Sequence, residues 1–95
     1  MKIFLDTADS LAIERYADTG LIDGVTTNPT LIMKSGRDPR DVYHHIKDIG
    51  IQDISMEVMG DFDQMYAEGY KLAKEFGDVA TIKLPCTREG LHVCK

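Results

Sequence analysis

The hydrophobic pattern of this 95-residue chain switches repeatedly between a period of two and a period of about 3.6. Alternating apolar residues indicate β-strands, whereas apolar residues three or four positions apart indicate helices. The pattern therefore predicts β-α-β-α-β-α-β followed by the beginning of a fourth helix. Strands joined by helices run parallel through right-handed crossovers, so their carboxyl ends meet at one rim. We expect an α/β fold with any chemistry placed at that rim.

Cap and turn residues set the expected bounds of these elements. Strands are expected at residues 2–6, 24–27, 53–59 and 80–84. The first helix is expected to run from a cap at Asp9 or Ser10 to about residue 19, and a short helical stretch is expected at 30–34. Pro39 opens the main second helix, residues 61–64 resemble a capping box, and Thr87 can cap the last helix. The third helix has an apolar stripe that is expected to lie in the core: Met65, Tyr66, Gly69, Leu72, Ala73 and Phe76.

Polar residues interrupt the four predicted strands with a single parity. Successive strand side chains point to opposite faces, so these polar residues can share one face while the apolar ones pack the other. For one lysine in a strand, snorkelling to solvent is the commoner explanation, but burying an ammonium group is costly and five polar groups of one parity favour a shared site. The predicted polar face comprises Asp6, Thr26, Asn28, Glu57 and Lys83, and the apolar face comprises Leu5, Val25, Met56, Val58, Ile82 and Leu84.

Composition excludes several classes of function. A net charge of −5 argues against nucleic acid or an anionic membrane surface as the main partner. Asp6 arrives too early for a signal peptide, and no apolar run reaches membrane-spanning length, so a cytoplasmic protein is expected. Cys86 and Cys94 lack CxxC spacing and are expected to be thiols. No glycine-rich nucleotide-binding motif follows the first strand. His44 and His45 are adjacent on a helix and point in different directions, so we expect structural roles and no metal site.

Three segments together resemble the transaldolase family, and its short bacterial branch that includes fructose-6-phosphate aldolase is the most similar. They are FLDTA at 4–8, GVTTNPT at 24–30 and IKLP at 82–85. The resemblance implies a TIM (β/α)8 barrel, of which residues 1–95 would be one partial domain, truncated after strand four and the start of helix four. It also implies sugar-phosphate substrates, no cofactor, and a homo-oligomer or pairing with a complementary half-barrel, because a half barrel leaves two strand edges open.

The same resemblance implies a role for each polar strand residue. Lys83 would be the Schiff-base lysine, Asp6 the acid/base, and Thr26 and Asn28 substrate-binding residues. Glu57 falls where the family places a carboxylate or an amide; the carboxylate is typical of transaldolases and the amide of fructose-6-phosphate aldolases. The structural alternatives are a turn-forming Asp6, a strand-filling Thr26, an Asn28 that serves the turn before proline, and a Glu57 that caps a helix or pairs with a cation.

Elementary chemistry agrees with these roles. Apolar strand neighbours favour the uncharged amine that attacks a ketose carbonyl, and the resulting iminium accepts electrons so that a carbon–carbon bond breaks without a metal. Asp6 can take the proton, Glu57 can hold a water, and Thr26 and Asn28 can orient sugar hydroxyls. The resemblance thus implies transfer of a dihydroxyacetone unit between sugar phosphates, as in the pentose phosphate pathway. The alternatives are an aldolase that releases dihydroxyacetone, and an inactive fragment or assembly half-barrel.

Overall fold

Four parallel strands alternate with helices along the chain in the structure, a computed structural model that describes residues 1–95. The strands are β1 (Phe4–Asp6), β2 (Gly24–Thr26), β3 (Ile54–Glu57) and β4 (Ala80–Lys83). The helices are α1 (Ser10–Ala17), α2 (Pro29–Ser35), α3 (Pro39–Ile49), α4 (Phe62–Phe76) and α5 (Arg88–Cys94), with a 3-10 turn at Gly77–Val79. The sheet order is β1-β2-β3-β4. The predicted α/β fold is confirmed, and it corresponds to half of a TIM-type barrel.

The pairing register confirms the predicted faces for the residues inside the strands, whereas Asn28, Val58 and Leu84 lie beyond the strand ends. Asp6 is paired with Thr26 across β1 and β2, and Glu57 is paired with Lys83 across β3 and β4. Leu5, Val25, Ile54, Met56 and Ile82 occupy the alternate positions and so point to the opposite side. We call the side that carries Asp6, Thr26, Glu57 and Lys83 the polar face, and the other side the helix-covered face.

The core lies between the helix-covered face and the helices. Val25, Ile54 and Met56 are fully buried there, and they belong to one cluster with apolar side chains of the helices. Burying an aliphatic side chain of this size contributes about 1.5–3 kcal/mol. The helical members that are also fully or nearly fully buried are Ile13, Ile32, Val42, Tyr43, Ile46, Met65, Leu72 and Phe76.

Side-chain caps begin the helices at the predicted positions. The Asp9 carboxylate accepts hydrogen bonds from two backbone N–H groups of α1, and Asp61 and Gln64 form a reciprocal capping box at α4. Thr87 accepts from Gly90 at the beginning of α5. Each cap satisfies backbone donors that have no partner inside the helix. The capping box and the caps at Asp9 and Thr87 are therefore confirmed.

Several predicted details are wrong. Helix α1 ends at Ala17 rather than near residue 19, because the Thr19 hydroxyl donates to the carbonyl of Tyr16 and forms a local turn. The strands stop short of their predicted limits; β1 begins at Phe4 and β3 ends at Glu57. On α4, Tyr66 and Ala73 are exposed, since the buried positions 65, 69, 72 and 76 lie about 100° away around the helix.

None of the helices combines the length and the apolar character that crossing a membrane requires.

Candidate active site

The polar face carries two pairs of side chains at the carboxyl ends of the strands. In the first pair, the Thr26 hydroxyl donates a hydrogen bond of 2.9 Å to an oxygen of Asp6. In the second pair, the Lys83 Nζ lies 3.7 Å from a carboxylate oxygen of Glu57. Both pairs follow directly from the strand register, because paired residues of parallel strands project side by side.

Lys83 lies on an edge strand of the sheet and is half-buried. Its side chain is 39% exposed, whereas the side chain of Glu57 is 16% exposed. The Nζ also donates to the backbone carbonyl oxygen of Thr27 at 3.4 Å, which ties β4 to the end of β2. Strand β4 is more exposed to solvent than its apolar sequence suggested, because it pairs with β3 on one side and has no neighbouring strand on the other. The amine therefore has two polar contacts and remains open to a ligand.

The structure keeps the Asp6–Thr26 pair apart from the Glu57–Lys83 pair. Asp6 and Lys83 lie on the two outer strands, and three strand spacings correspond to about 14 Å along the sheet. No hydrogen bond or ion pair joins Asp6 to Glu57 or Lys83. The predicted polar residues thus share a face, but they form two clusters rather than a single point.

Asn28 lies just past β2 and begins α2. Its backbone is extended, and its side-chain oxygen accepts from the N–H of Leu31 at 2.9 Å as the helix cap. Asn28 therefore has a structural role at the turn before Pro29, where it caps α2. Because capping uses the oxygen alone, the side-chain NH2 group remains available as a donor.

Two residues that the sequence analysis did not single out are buried on the helical side of the sheet. Thr27 is fully buried, and its hydroxyl donates to the Ser55 carbonyl at 2.9 Å. Tyr43 of α3 is 3% exposed and belongs to the hydrophobic core of the helical layer. Burial raises the pKa of the Tyr43 phenol, the polar Thr27 side chain works in the opposite direction, and the charges of Glu68 and Glu57 add to the increase. Strand parity points Thr27 away from the polar face, so no sequence signal marked it.

A cavity of about 270 Å3 lies between α2, α3 and α4 and reaches Glu57. Tyr43 and Glu68 line it together with Glu57, and Arg37 and Arg40 lie at its wall. The volume is enough for several water molecules. Glu57 therefore borders both the polar face and this cavity among the helices.

The two adjacent histidines point to different helices, as predicted. His44 Nε2 lies 3.0 Å from Glu75 of α4, which also pairs with Arg40. His45 Nε2 lies 2.9 Å from Glu14 of α1. Both histidines thus link α3 to its neighbouring helices and have the structural role expected for them.

Comparisons with known proteins agree with the motifs. The sequence model of a family described as "Transaldolase/Fructose-6-phosphate aldolase" matches residues 3–95. A "Probable transaldolase" of Hyphomonas neptunium is 54% identical over 96 residues, covering 100% of this chain and 44% of the relative. Proteins with the same description from Caulobacter vibrioides and Nitrosopumilus maritimus are 54% and 45% identical, over 99% and 100% of this chain and 43% of each relative. The chain thus spans less than half the length of the curated relatives it matches.

Proposed function

The chain belongs to the Transaldolase/Fructose-6-phosphate aldolase family, and from that membership we propose that it carries the Schiff-base half of a transaldolase active site. The proposed reaction moves a dihydroxyacetone unit from a ketose phosphate to an aldose phosphate. The observation that supports it most directly is the 3.7 Å approach of Lys83 Nζ to Glu57 at the strand ends. An amine beside a carboxylate is the arrangement that imine formation requires.

In the proposed first stage, the uncharged Lys83 amine attacks the ketose carbonyl carbon and forms a carbinolamine. Glu57 gives a proton to the departing hydroxyl, which leaves as water, and the iminium remains. Glu57 suits this proton transfer because it is the carboxylate closest to the amine. The cavity beside Glu57 offers room for the water that is released and later consumed.

In the second stage, a base removes the proton from the hydroxyl on the fourth carbon. The bond between the third and fourth carbons breaks, its electron pair passes into the iminium to give an enamine, and an aldehyde leaves. The enamine then attacks the acceptor aldehyde, and water hydrolyses the new iminium. We assign the base role to Asp6, whose carboxylate accepts a hydrogen bond from Thr26. Thr26 and the NH2 group of Asn28 are assigned to the sugar hydroxyls.

Borohydride trapping tests the nucleophile directly. Incubation of the chain with dihydroxyacetone and then borohydride is expected to fix one adduct on Lys83, measured by peptide mass spectrometry. Lys34, Lys47, Lys71 and Lys74 serve as internal controls, since none of them has a carboxylate partner within ion-pair distance. Lys83→Ala is expected to abolish the adduct.

The same experiment on the Hyphomonas neptunium relative separates two negative results. An adduct in the relative but not in this chain would favour the alternative of an inactive fragment or assembly half-barrel. Absence of an adduct from both proteins would eliminate the Schiff-base mechanism.

The carboxylate of Glu57 favours the transferase over an aldolase that releases dihydroxyacetone. A carboxylate can give and take a proton, whereas an amide cannot. In a version of the chain extended to the length of its relatives, Glu57→Gln is expected to raise the ratio of aldol cleavage to transfer. An unchanged ratio of the two activities would remove this reason for preferring transaldolase.

The open edges of the sheet support a further part of the proposal, pairing with a second copy or with a complementary half-barrel. Strands β1 and β4 each have one unpaired edge, and unpaired edges readily accept another strand. Phe4 belongs to the edge strand β1 and is partly exposed on the polar face, where its ring lies over Gly24 of β2. We expect Phe4→Lys to lower the self-association measured by light scattering, while Met33→Lys on the exposed side of α2 leaves it unchanged. Equal masses for all three proteins at every concentration would contradict self-pairing.

A further inference from the structure

A second cavity, of about 440 Å3, lies beside the end of β1. Thr7 and Ser10 line it on the side of β1 and α1, and Lys34 and Arg37 line it on the side of α2 and the turn that follows. We call this space the α1–α2 cavity. Its volume is within the range of small-molecule sites in proteins. Lys83 belongs to the opposite outer strand, so the cavity is separate from the proposed nucleophile.

Arg37 is held in place at the α1–α2 cavity by two contacts of a single nitrogen. Its Nη1 donates to the Ser10 hydroxyl oxygen at 2.8 Å and lies 3.2 Å from Nδ1 of His45. Because arginine is only a donor, this Nδ1 accepts, and Nε2 of His45 donates to Glu14 at 2.9 Å. The Nε–H and Nη2–H donors of Arg37 make no hydrogen bond within the chain. The guanidinium is therefore oriented and still has one edge available.

The charges around the α1–α2 cavity favour an anion. Neither Arg37 nor Lys34 has a carboxylate within ion-pair distance, although the net charge of the chain is −5. Asp9 is the one acidic residue of the lining, and its carboxylate already accepts from two backbone N–H groups of α1, which offset part of its charge. Ser10 is 8% exposed, and because its oxygen accepts from Arg37, its hydroxyl proton remains to be donated.

We propose that the α1–α2 cavity binds a phosphate dianion, either as the free ion or as the phosphate group of a small ester. The Nε–H and Nη2–H donors of a guanidinium form a fork that matches two phosphate oxygens. Lys34 contributes the second positive charge, and Ser10 contributes a hydroxyl donor at the wall. The site is additional to the proposed Schiff-base chemistry and does not depend on it.

Titration of the 15N-labelled chain with inorganic phosphate at constant ionic strength tests the proposal. The backbone amide signals of residues 7–11 and 34–37 are expected to shift along one saturating curve in two-dimensional NMR spectra. Arg37→Gln is expected to raise the dissociation constant at least about tenfold, as the loss of charge-assisted hydrogen bonds does. Arg15→Gln removes an exposed charge from the last turn of α1, outside the cavity, and is expected to leave the constant unchanged.

Three further variants separate geometry from charge. Arg37→Lys keeps the charge but not the fork, so its dissociation constant is expected to fall between those of the unsubstituted chain and Arg37→Gln. Lys34→Gln is expected to raise the constant about two- to fivefold, the range of a solvent-exposed charge contact. Ser10→Ala is expected to raise it about two- to tenfold through the lost hydroxyl. If Arg37→Gln fails to fold, Lys34→Gln and Ser10→Ala decide the matter.

A comparison of ligands identifies the source of the phosphate group. Tighter binding of glycerol 3-phosphate than of inorganic phosphate would identify an ester site, whereas equal dissociation constants would identify a site for the phosphate group itself. Shifts that do not saturate, or that persist unchanged in Arg37→Gln and Lys34→Gln, would overturn the proposal. Lys83→Met is expected to bind phosphate as the unsubstituted chain does, and loss of binding in that variant would place the phosphate on the polar face instead. A failure of borohydride trapping would leave these results unaffected.

Discussion

The two faces of the sheet differ in what covers them, although their residues alternate along the same strands. On the helix-covered face, Val25, Ile54 and Met56 have no exposed surface. On the polar face, Asp6 and Thr81 are exposed and Lys83 is half-buried. The difference teaches that adjacent residues of one strand serve separate purposes: one residue contributes apolar burial, and the next is available for chemistry. Substitutions at neighbouring positions should therefore have very different consequences.

The largest expected effect comes from opening the helix-covered face. Ile54→Ala removes a fully buried side chain of β3 and leaves a cavity among α3, α4 and the sheet. We expect a loss of about 2–5 kcal/mol in the free energy of unfolding, measured by urea denaturation. Such a loss is a large part of the total stability of a small domain.

The adjacent residue provides the matched control. Ser55 follows Ile54 on the same strand, but its side chain points to the polar face; the residue is 9% exposed, and it is the Ser55 backbone carbonyl, not the hydroxyl, that accepts the Thr27 hydrogen bond. We expect Ser55→Ala to change the free energy of unfolding by less than about 1 kcal/mol. Similar losses for Ile54→Ala and Ser55→Ala would contradict the division between the two faces.

This division could be predicted from sequence because strand parity is a local property. Alternation alone placed Asp6, Thr26, Glu57 and Lys83 on one side. Parity does not give distances across the sheet, so it did not reveal that Asp6 and Lys83 belong to separate pairs. The sequence analysis also gave Thr27 no role, because its contact with Lys83 is made by the backbone carbonyl, and a backbone atom carries no signal in the sequence.

Helix packing was predicted less well than strand pairing. The predicted apolar stripe on α4 included Tyr66 and Ala73, which are exposed. A helix that packs on one side only buries a narrower arc of its surface than its apolar residues suggest. Tyr66 and Tyr70 instead stack side by side on the surface, with ring centroids 6.4 Å apart.

The second-largest effect is expected where β4 passes from the sheet to α5. Gly90 lies so close to this connection that an added Cβ would stand 2.0 Å from the backbone oxygen of Pro85. Gly90→Ala must displace the loop that follows Lys83, and we expect a cost of about 1–3 kcal/mol in urea denaturation. The displacement should also reduce trapping on Lys83.

Gly69→Ala is the comparison for Gly90→Ala. Its added Cβ would meet a methyl group of Ile82 at 3.2 Å on the helix-covered face, where a small side-chain shift suffices. Alanine also favours the helix by up to about 1 kcal/mol. We expect stability near that of the unsubstituted chain and unchanged trapping. If Gly69→Ala lowered trapping more than Gly90→Ala, the connection after β4 would not be the sensitive one.

A smaller effect is expected from the buried phenol of Tyr43. The pKa of Tyr43 is raised above its ordinary value of 10.0, chiefly by burial, so the folded state holds this proton more tightly than the unfolded state. Its contribution is fully present below about pH 10 and is lost as the pH rises through the raised pKa. The free energy of unfolding should fall more steeply above pH 10 than in Tyr43→Phe. Tyr16→Phe, at an exposed position, should follow the unsubstituted chain, and parallel curves for all three would refute the assignment.

The smallest effect on stability is expected at the residue with the largest effect on chemistry. Lys83→Met keeps the aliphatic stem of the side chain and removes one half-exposed charge from its 3.7 Å contact with Glu57. Ion pairs that are partly open to solvent contribute about 0–1 kcal/mol, and the removed ammonium no longer has to be desolvated. We expect the urea midpoint to move by less than that of Gly90→Ala while trapping disappears completely. A loss of unfolding free energy as large as that of Ile54→Ala would mean that Lys83 stabilises the fold. That result would contradict the separation of apolar burial and chemistry between the two faces.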